Sequence, residues 1–175
     1  MYKVYLSPST KDKSFGINNF GTEEFRMNQI ADAVETYLLQ TGEFAVYRNV
    51  NGMTIDEIIK DSNDIKPDVH VSIHSGYNNK PGINCYVKVG DNVSNGMCKE
   101  VYKQVHTIYN NKNIDNGLTY DESIIELHRV NSPAIKIEVG SRENEQDVIW
   151  IVSNVENIGK AIAQGIAKGF ALKVC

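Results

Sequence analysis

Val69-His70-Val71-Ser72-Ile73-His74 is the stretch on which the fold turns. Its histidines are spaced H-x-x-x-H, which on a helix would set two metal ligands on one face. Val69, Val71 and Ile73 are β-branched, however, and favour a strand. On a strand the two rings share a face but lie about 13 Å apart, at ~3.3 Å per residue, too far to bind one ion together. His74, at the strand's carboxyl end, is the better ligand. His70 reads as a buried, hydrogen-bonded core histidine.

Working outward, strands and helices alternate. Lys3 to Leu6 is a short strand, ended by Ser7-Pro8-Ser9-Thr10, and the Ser-, Gly-, Asn- and Lys-rich segment up to Gly21 is a loop. Thr22 caps a helix whose first turn carries Glu23 and Glu24 and whose apolar face is Phe25, Ile30, Ala33, Val34, Tyr37 and Leu38. Gly42 follows its last turn. Phe44 to Tyr47 is a second strand. Thr54 with Glu57 forms a capping box that opens a helix through Ile58 and Ile59. Asn84 to Val89 is a further strand, followed by a helix from about Asn95 to Tyr109. Ala134 to Val139 is the last strand, and Val155 to Leu172 a final amphipathic helix. This order predicts a single α/β domain over residues 1–175: a mostly parallel central sheet with helices on both faces. Such sheets carry their sites beyond the carboxyl ends of the strands, here just after Leu6, at His74 and at Glu138 to Gly140.

The chain has 175 residues and a net charge of −4 from 18 basic and 22 acidic side chains. That balance argues against nucleic acid as the partner, since phosphate binding needs clustered Lys and Arg. No apolar run approaches the roughly 20 residues of a membrane span, and the N-terminus lacks the apolar core of a secretory signal. Synthesis in the cytoplasm is expected, with any action at the cell wall following release. Cys85, Cys98 and Cys175 form no CxxC pair and read as reduced thiols. Oligomeric state is not legible.

Four further residues invite chemistry. Glu138 ends the apolar run Ala134-Ile135-Lys136-Ile137, where a carboxylate is costly unless paired or placed at a site. Partial burial would raise its pKa toward that of a general acid or base. Glu24, beginning a helix after a long loop, serves either the helix dipole or a site. His128 is open between surface, ligand and substrate contact. His106, in an amphipathic helix, is structural. There is no G-x-S-x-G elbow, P-loop or G-x-G-x-x-G, so serine hydrolase and nucleotide-binding readings lose their usual support.

Three ordered segments resemble the zinc-dependent N-acetylmuramoyl-L-alanine amidases of the Amidase_3 family, which include autolysins and phage endolysins. They are Glu24-Phe25-Arg26-Met27-Asn28-Gln29-Ile30-Ala31 (E-x-x-x-N-x-x-A), Val71-Ser72-Ile73-His74 (S-[IV]-H), and Pro133-Ala134-Ile135-Lys136-Ile137-Glu138-Val139-Gly140 (P-A-v-L-v-E-v-G). The resemblance implies a peptidoglycan hydrolase that cleaves the bond between N-acetylmuramic acid and L-alanine. It implies a Zn2+ ion held by Glu24 and His74, and Glu138 as the catalytic carboxylate. The family's first ligand, a histidine directly after the first strand, has no counterpart in Ser7-Pro8-Ser9-Thr10-Lys11-Asp12-Lys13, and Gly76 stands where the family often has Asn. His128 is the expected replacement, with Asp12, Glu126 and water as the alternatives. Lys11 and Lys13 would oppose a dication in that loop. A second reading is a catalytically impaired relative that binds peptidoglycan or a partner enzyme.

Overall fold

The computed structural model describes residues 1–171. Leu172 and Cys175, the expected end of the last helix and the third thiol, lie outside them. The elements in order are β1 (Tyr2–Pro8), α1 (Glu23–Gln40), β2 (Phe44–Arg48), α2 (Ile55–Ile65), β3 (Val69–Gly76), β4 (Ile83–Val87), α3 (Asn92–Ile108), β5 (Leu118–Tyr120), α4 (Ile125–Arg129), β6 (Ala134–Ser141), α5 (Glu145–Ser153) and α6 (Val155–Gly169). The six strands form one sheet in the order β2-β1-β3-β6-β4-β5. β2, β1, β3 and β6 run parallel, and β4 joins β6 antiparallel with β5 parallel to it. This is the mostly parallel α/β arrangement expected.

Local signals explain the helix starts. The Thr22 side chain accepts from the Phe25 amide, and Thr54 with Glu57 closes the reciprocal capping box read from the sequence. Missed were β5, α4 and α5, all short. α5 is fixed by Asp147, which accepts from Gly82 N (3.0 Å), Ser141 N (2.8 Å) and Tyr109 OH (2.5 Å) and so ties the end of β6 to the loop before β4. No short-range pattern announces contacts of that separation.

The two faces of the sheet differ sharply. Leu6, Val71, Ile73, Ile135 and Ile137 point to one side, into a core with Ile30 and Val34 of α1, Val101 of α3 and Ile162 and Ile166 of α6. The other side carries Tyr5, Ser7, His70 and Ser72, all buried, beneath α2 and α4. Cys85 of β4 and Cys98 of α3 both enter the apolar core and are joined by a disulfide, their Cα atoms 6.1 Å apart. This corrects the expectation of reduced thiols: strand and helix bring together residues that no CxxC spacing advertises. No helix of the described residues is long and apolar enough to cross a membrane.

α3 and α6 touch through glycine. A Cβ on Gly165 would lie 2.4 Å from Val101 Cα and 2.8 Å from Val101 N, atoms that cannot retreat without moving a helix. Gly96, also helical, faces open space. Gly165→Ala is therefore expected to lose about 1–3 kcal/mol of unfolding free energy, whereas Gly96→Ala should gain up to ~1 kcal/mol from helix propensity. Chemical denaturation of both variants checks the sign, and equal stability would contradict the close helix crossing.

Candidate functional site

From β1 the chain crosses to β2 on one side, while β3 lies on the other, so the carboxyl ends of β1 and β3 flank a topological switch point. Open α/β sheets bind their ligands at such crevices. A cleft of about 230 Å³ lies there, lined by Ser7, Thr10, Asp12, Ile58, His74 and Glu126. A larger, polar cleft of about 540 Å³ adjoins it at β6, lined among others by Tyr77, Asn84, Tyr86, Lys136 and Glu138.

The floor of the site is a buried polar network. Glu126 of α4 accepts from Ser7 Oγ (2.5 Å), Ser72 Oγ (2.9 Å) and His70 Nε2 (2.8 Å), and Ser62 Oγ lies 2.9 Å from His70 Nδ1. Burial alone would raise the Glu126 carboxyl. The His70 hydrogen bond and charge, the charge of His74 and the Ser7 hydroxyl outweigh it, holding the pKa down at about 2. His70 is thus the satisfied core histidine that the strand reading expected.

His74 emerges above this floor with 29% of its side chain exposed. Loss of hydration, aided by the Lys136 ammonium and opposed by Glu126, Glu138 and Asp12, lowers its pKa to about 4, so the ring is neutral at ordinary pH. Its Nδ1 lies 3.6 Å from Oε1 of Glu23, a residue read from sequence only as a helix-dipole carboxylate. Glu23 is fully buried, accepts from the Ser75 amide (2.8 Å) and hydroxyl, and faces Arg142 (3.5 Å). Burial pushes its pKa up to about 7 against the lowering by Ser75 and Arg142.

Glu138 is the register partner of His74 on the neighbouring strand. Lys136 Nζ lies 3.0 Å from its Oε1, and Tyr86 OH donates to Oε2 at 3.0 Å. Glu24 opens α1 as expected, with its side chain only 10% exposed and Lys13 Nζ 2.6 Å from Oε2. Asp12 shares the smaller cleft with His74 and lies 3.4 Å from Arg142.

His128 does not join this group. The segment Ile125–Arg129 that carries it is a helical turn. Two residues along a helix point to different sides, so with Glu126 aimed at β3, His128 turns elsewhere. Its Nε2 is buried without a hydrogen-bond partner, and its charge is felt by Asp121. Among the described residues, no three His, Cys, Asp or Glu side chains gather closely enough to hold a metal ion.

Two of the expected donors nevertheless suit zinc chemically. His74 is a neutral imidazole, and Glu24 Oε2 is a buried carboxylate oxygen that accepts no hydrogen bond. The Lys13 ammonium is a stand-in cation on that oxygen. Sequence reasoning missed Glu23, Tyr86, Lys136 and Arg142, whose roles come from pairing across elements, and assigned Lys13 to Asp12 rather than Glu24.

Comparison with known proteins agrees with this geometry. The family model of N-acetylmuramoyl-L-alanine amidase matches residues 4–168. None of the curated proteins matches the sequence. Among solved structures, an N-acetylmuramoyl-L-alanine amidase from Clostridium difficile 630 superposes with a TM-score of 0.87 at 19% identity, covering 98% of each chain. The catalytic domain of CwlV from Bacillus (Paenibacillus) polymyxa var. colistinus gives 0.88 at 21% identity, covering 99% of this chain and 100% of that one. The catalytic domain of the CD27L endolysin, which targets Clostridia difficile, gives 0.79 at 15% identity over 96% and 98%. At these identities the shared property is the fold.

The network fixes the sign of an acid effect. A carboxyl held at about 2 instead of 4.5 contributes its full stabilisation above the higher value and loses it as pH falls through the lower one. Glu126→Gln should therefore differ most from the parent near neutrality, by on the order of 3 kcal/mol, with the gap shrinking between about pH 4.5 and pH 2. Urea denaturation of both proteins across that range checks it; a gap independent of pH would reject an ionised Glu126.

Proposed function

Because this chain belongs to the N-acetylmuramoyl-L-alanine amidase family, which matches it over residues 4–168, we propose that it hydrolyses the amide joining N-acetylmuramic acid to L-alanine in bacterial peptidoglycan, acting at the cell wall. The observation that carries the reading is the pairing in register of His74 and Glu138 at the carboxyl ends of β3 and β6. There a neutral imidazole facing the smaller cleft stands beside a carboxylate facing the larger, polar one.

In this reading Glu138 is the proton carrier. Lys136 and Tyr86 each engage one of its oxygens, which fixes the plane of the carboxylate. From that position it takes a proton from the attacking water and delivers it to the nitrogen of the departing L-alanine. The amide side chains of Asn78, Asn84 and Asn116 line the same cleft and offer donors and acceptors to a peptide backbone. Glu23 faces Nδ1 of His74, leaving Nε2 for a ligand. The residues that would hold zinc are His74 and Glu24, with Asp12 of the same cleft as a further donor. A bound zinc ion supplies the Lewis acidity that polarises the scissile carbonyl and acidifies water.

One observation favours a second reading. The Lys13 ammonium on Glu24 suits a relative that binds peptidoglycan without cleaving it. Release of new L-alanine amino termini from purified cell walls separates the two. In the hydrolase reading Glu138→Gln lowers the rate by ~10²–10⁴ while the protein stays folded, because glutamine keeps the shape and the Tyr86 contact and only the Lys136 pairing is lost. Wall binding by the unaltered protein without any release of amino termini supports the second.

A further inference from the structure

Four of the carboxylates described above are matched with cations of the chain itself. Arg142 serves Asp12 and Glu23, Lys136 serves Glu138, and Lys13 serves Glu24. Lys13 differs from the other two. The Arg142 and Lys136 side chains are 10% and 21% exposed, but that of Lys13 is 73% exposed, so only its tip reaches inward. Its backbone is nevertheless held in place. The amides of Glu23 and Glu24 donate to the carbonyls of Ser14 and Asp12, each at 3.0 Å, and so clamp the loop on either side of Lys13 to the start of α1.

The oxygen that Lys13 covers is unusual as well. Glu24 Oε2 is buried and accepts no hydrogen bond from the described residues, so the ammonium 2.6 Å away supplies its compensation. A buried carboxylate oxygen in that state requires a cation. An ammonium and a dication cannot both sit against it without strong mutual repulsion.

We propose that Lys13 is an internal competitor for the metal position at Glu24. Its ammonium fills the place of a divalent cation, and such a cation binds when the side chain swings outward to solvent. The proposal rests on the reading that Glu24 and His74 are the metal donors. It goes beyond that reading in making a residue of the first loop, where a ligand was sought, an opponent of the metal.

The test is the dissociation constant for Zn2+, measured by competition with a chromophoric chelator on the folded full-length chain. Lys13→Ala is expected to bind zinc about tenfold or more tighter than the parent. Lys13→Arg, which keeps the charge, should stay near the parent. Lys99→Ala, which removes an exposed charge on α3 away from the clefts, should also leave affinity unchanged. In a Glu24→Gln background the Lys13→Ala effect should vanish. Absence of tightening in Lys13→Ala overturns the proposal, and so does equal tightening in Lys99→Ala, which would reduce the effect to net charge. Wall hydrolysis is scored separately. Tightened zinc binding without release of amino termini would sink the hydrolase reading alone, and hydrolysis with an unresponsive Lys13 would sink the proposal alone.

Discussion

The Glu126 carboxylate, buried on one face of the sheet, is the constraint around which this molecule is arranged. Its partners come from β1, from two positions of β3, and through His70 from α2. An ionised carboxylate removed from water is tolerable only with such donors in place, and removing one partner strands the charge. The face that bears it therefore cannot be covered in the manner of its apolar counterpart. Three long helices pack against Leu6, Val71 and Ile135, whereas α2 and the single turn of α4 lie over Ser7, His70 and Ser72. The thinner cover leaves the carboxyl ends of β1 and β3 open, and the cleft forms there.

Charge balance shapes the rim of that opening. Asp12, Glu23, Glu126 and Glu138 all come near His74, and left unmatched they would draw a proton onto its ring. Loss of hydration, together with Lys136, wins instead and keeps the imidazole neutral. Arg142 does the corresponding work for Asp12 and Glu23 from the far end of β6. A neutral imidazole beside compensated carboxylates retains its lone pair for a ligand or a proton, whichever chemistry the site runs.

Much of this was legible in the sequence, and the limits have physical causes. The β-branched run at Val69–Ile73, the Thr54–Glu57 capping box and the apolar periodicity of α1, α3 and α6 are local signals, and each corresponds to an element of the structure. β3 carries the strand reading of the two histidines through to a buried, bonded His70 and a partly exposed His74. The misses are long-range or short. α4 is a single turn without a side-chain cap, too short for a periodic signal, and its helical geometry separates His128 from Glu126. Cys85 and Cys98 meet only because β4 and α3 share the apolar core. Glu23 looked interchangeable with Glu24 at a helix start, yet one turns inward to Ser75 and His74 while the other meets Lys13. One position along a helix, about 100° of rotation, decides which.

The same geometry explains how one strand supplies both a scaffold and a reactive group. Alternation places His70, Ser72 and His74 on a single face, and the parallel register sets Ala134, Lys136 and Glu138 opposite them in turn. Moving toward the carboxyl end, the pairs pass from fully buried to partly exposed, as α2 and α4 cease to cover them. Chemically similar side chains thereby acquire different tasks. His70, without access to solvent, and Glu126, at the floor of the smaller cleft, are bonded within the protein and fix it, while His74 and Glu138 reach further into the clefts. The division between holding the fold and doing chemistry follows from distance along the strand, and a shift of one residue in β3 or β6 would turn that strand's reactive group into the apolar core.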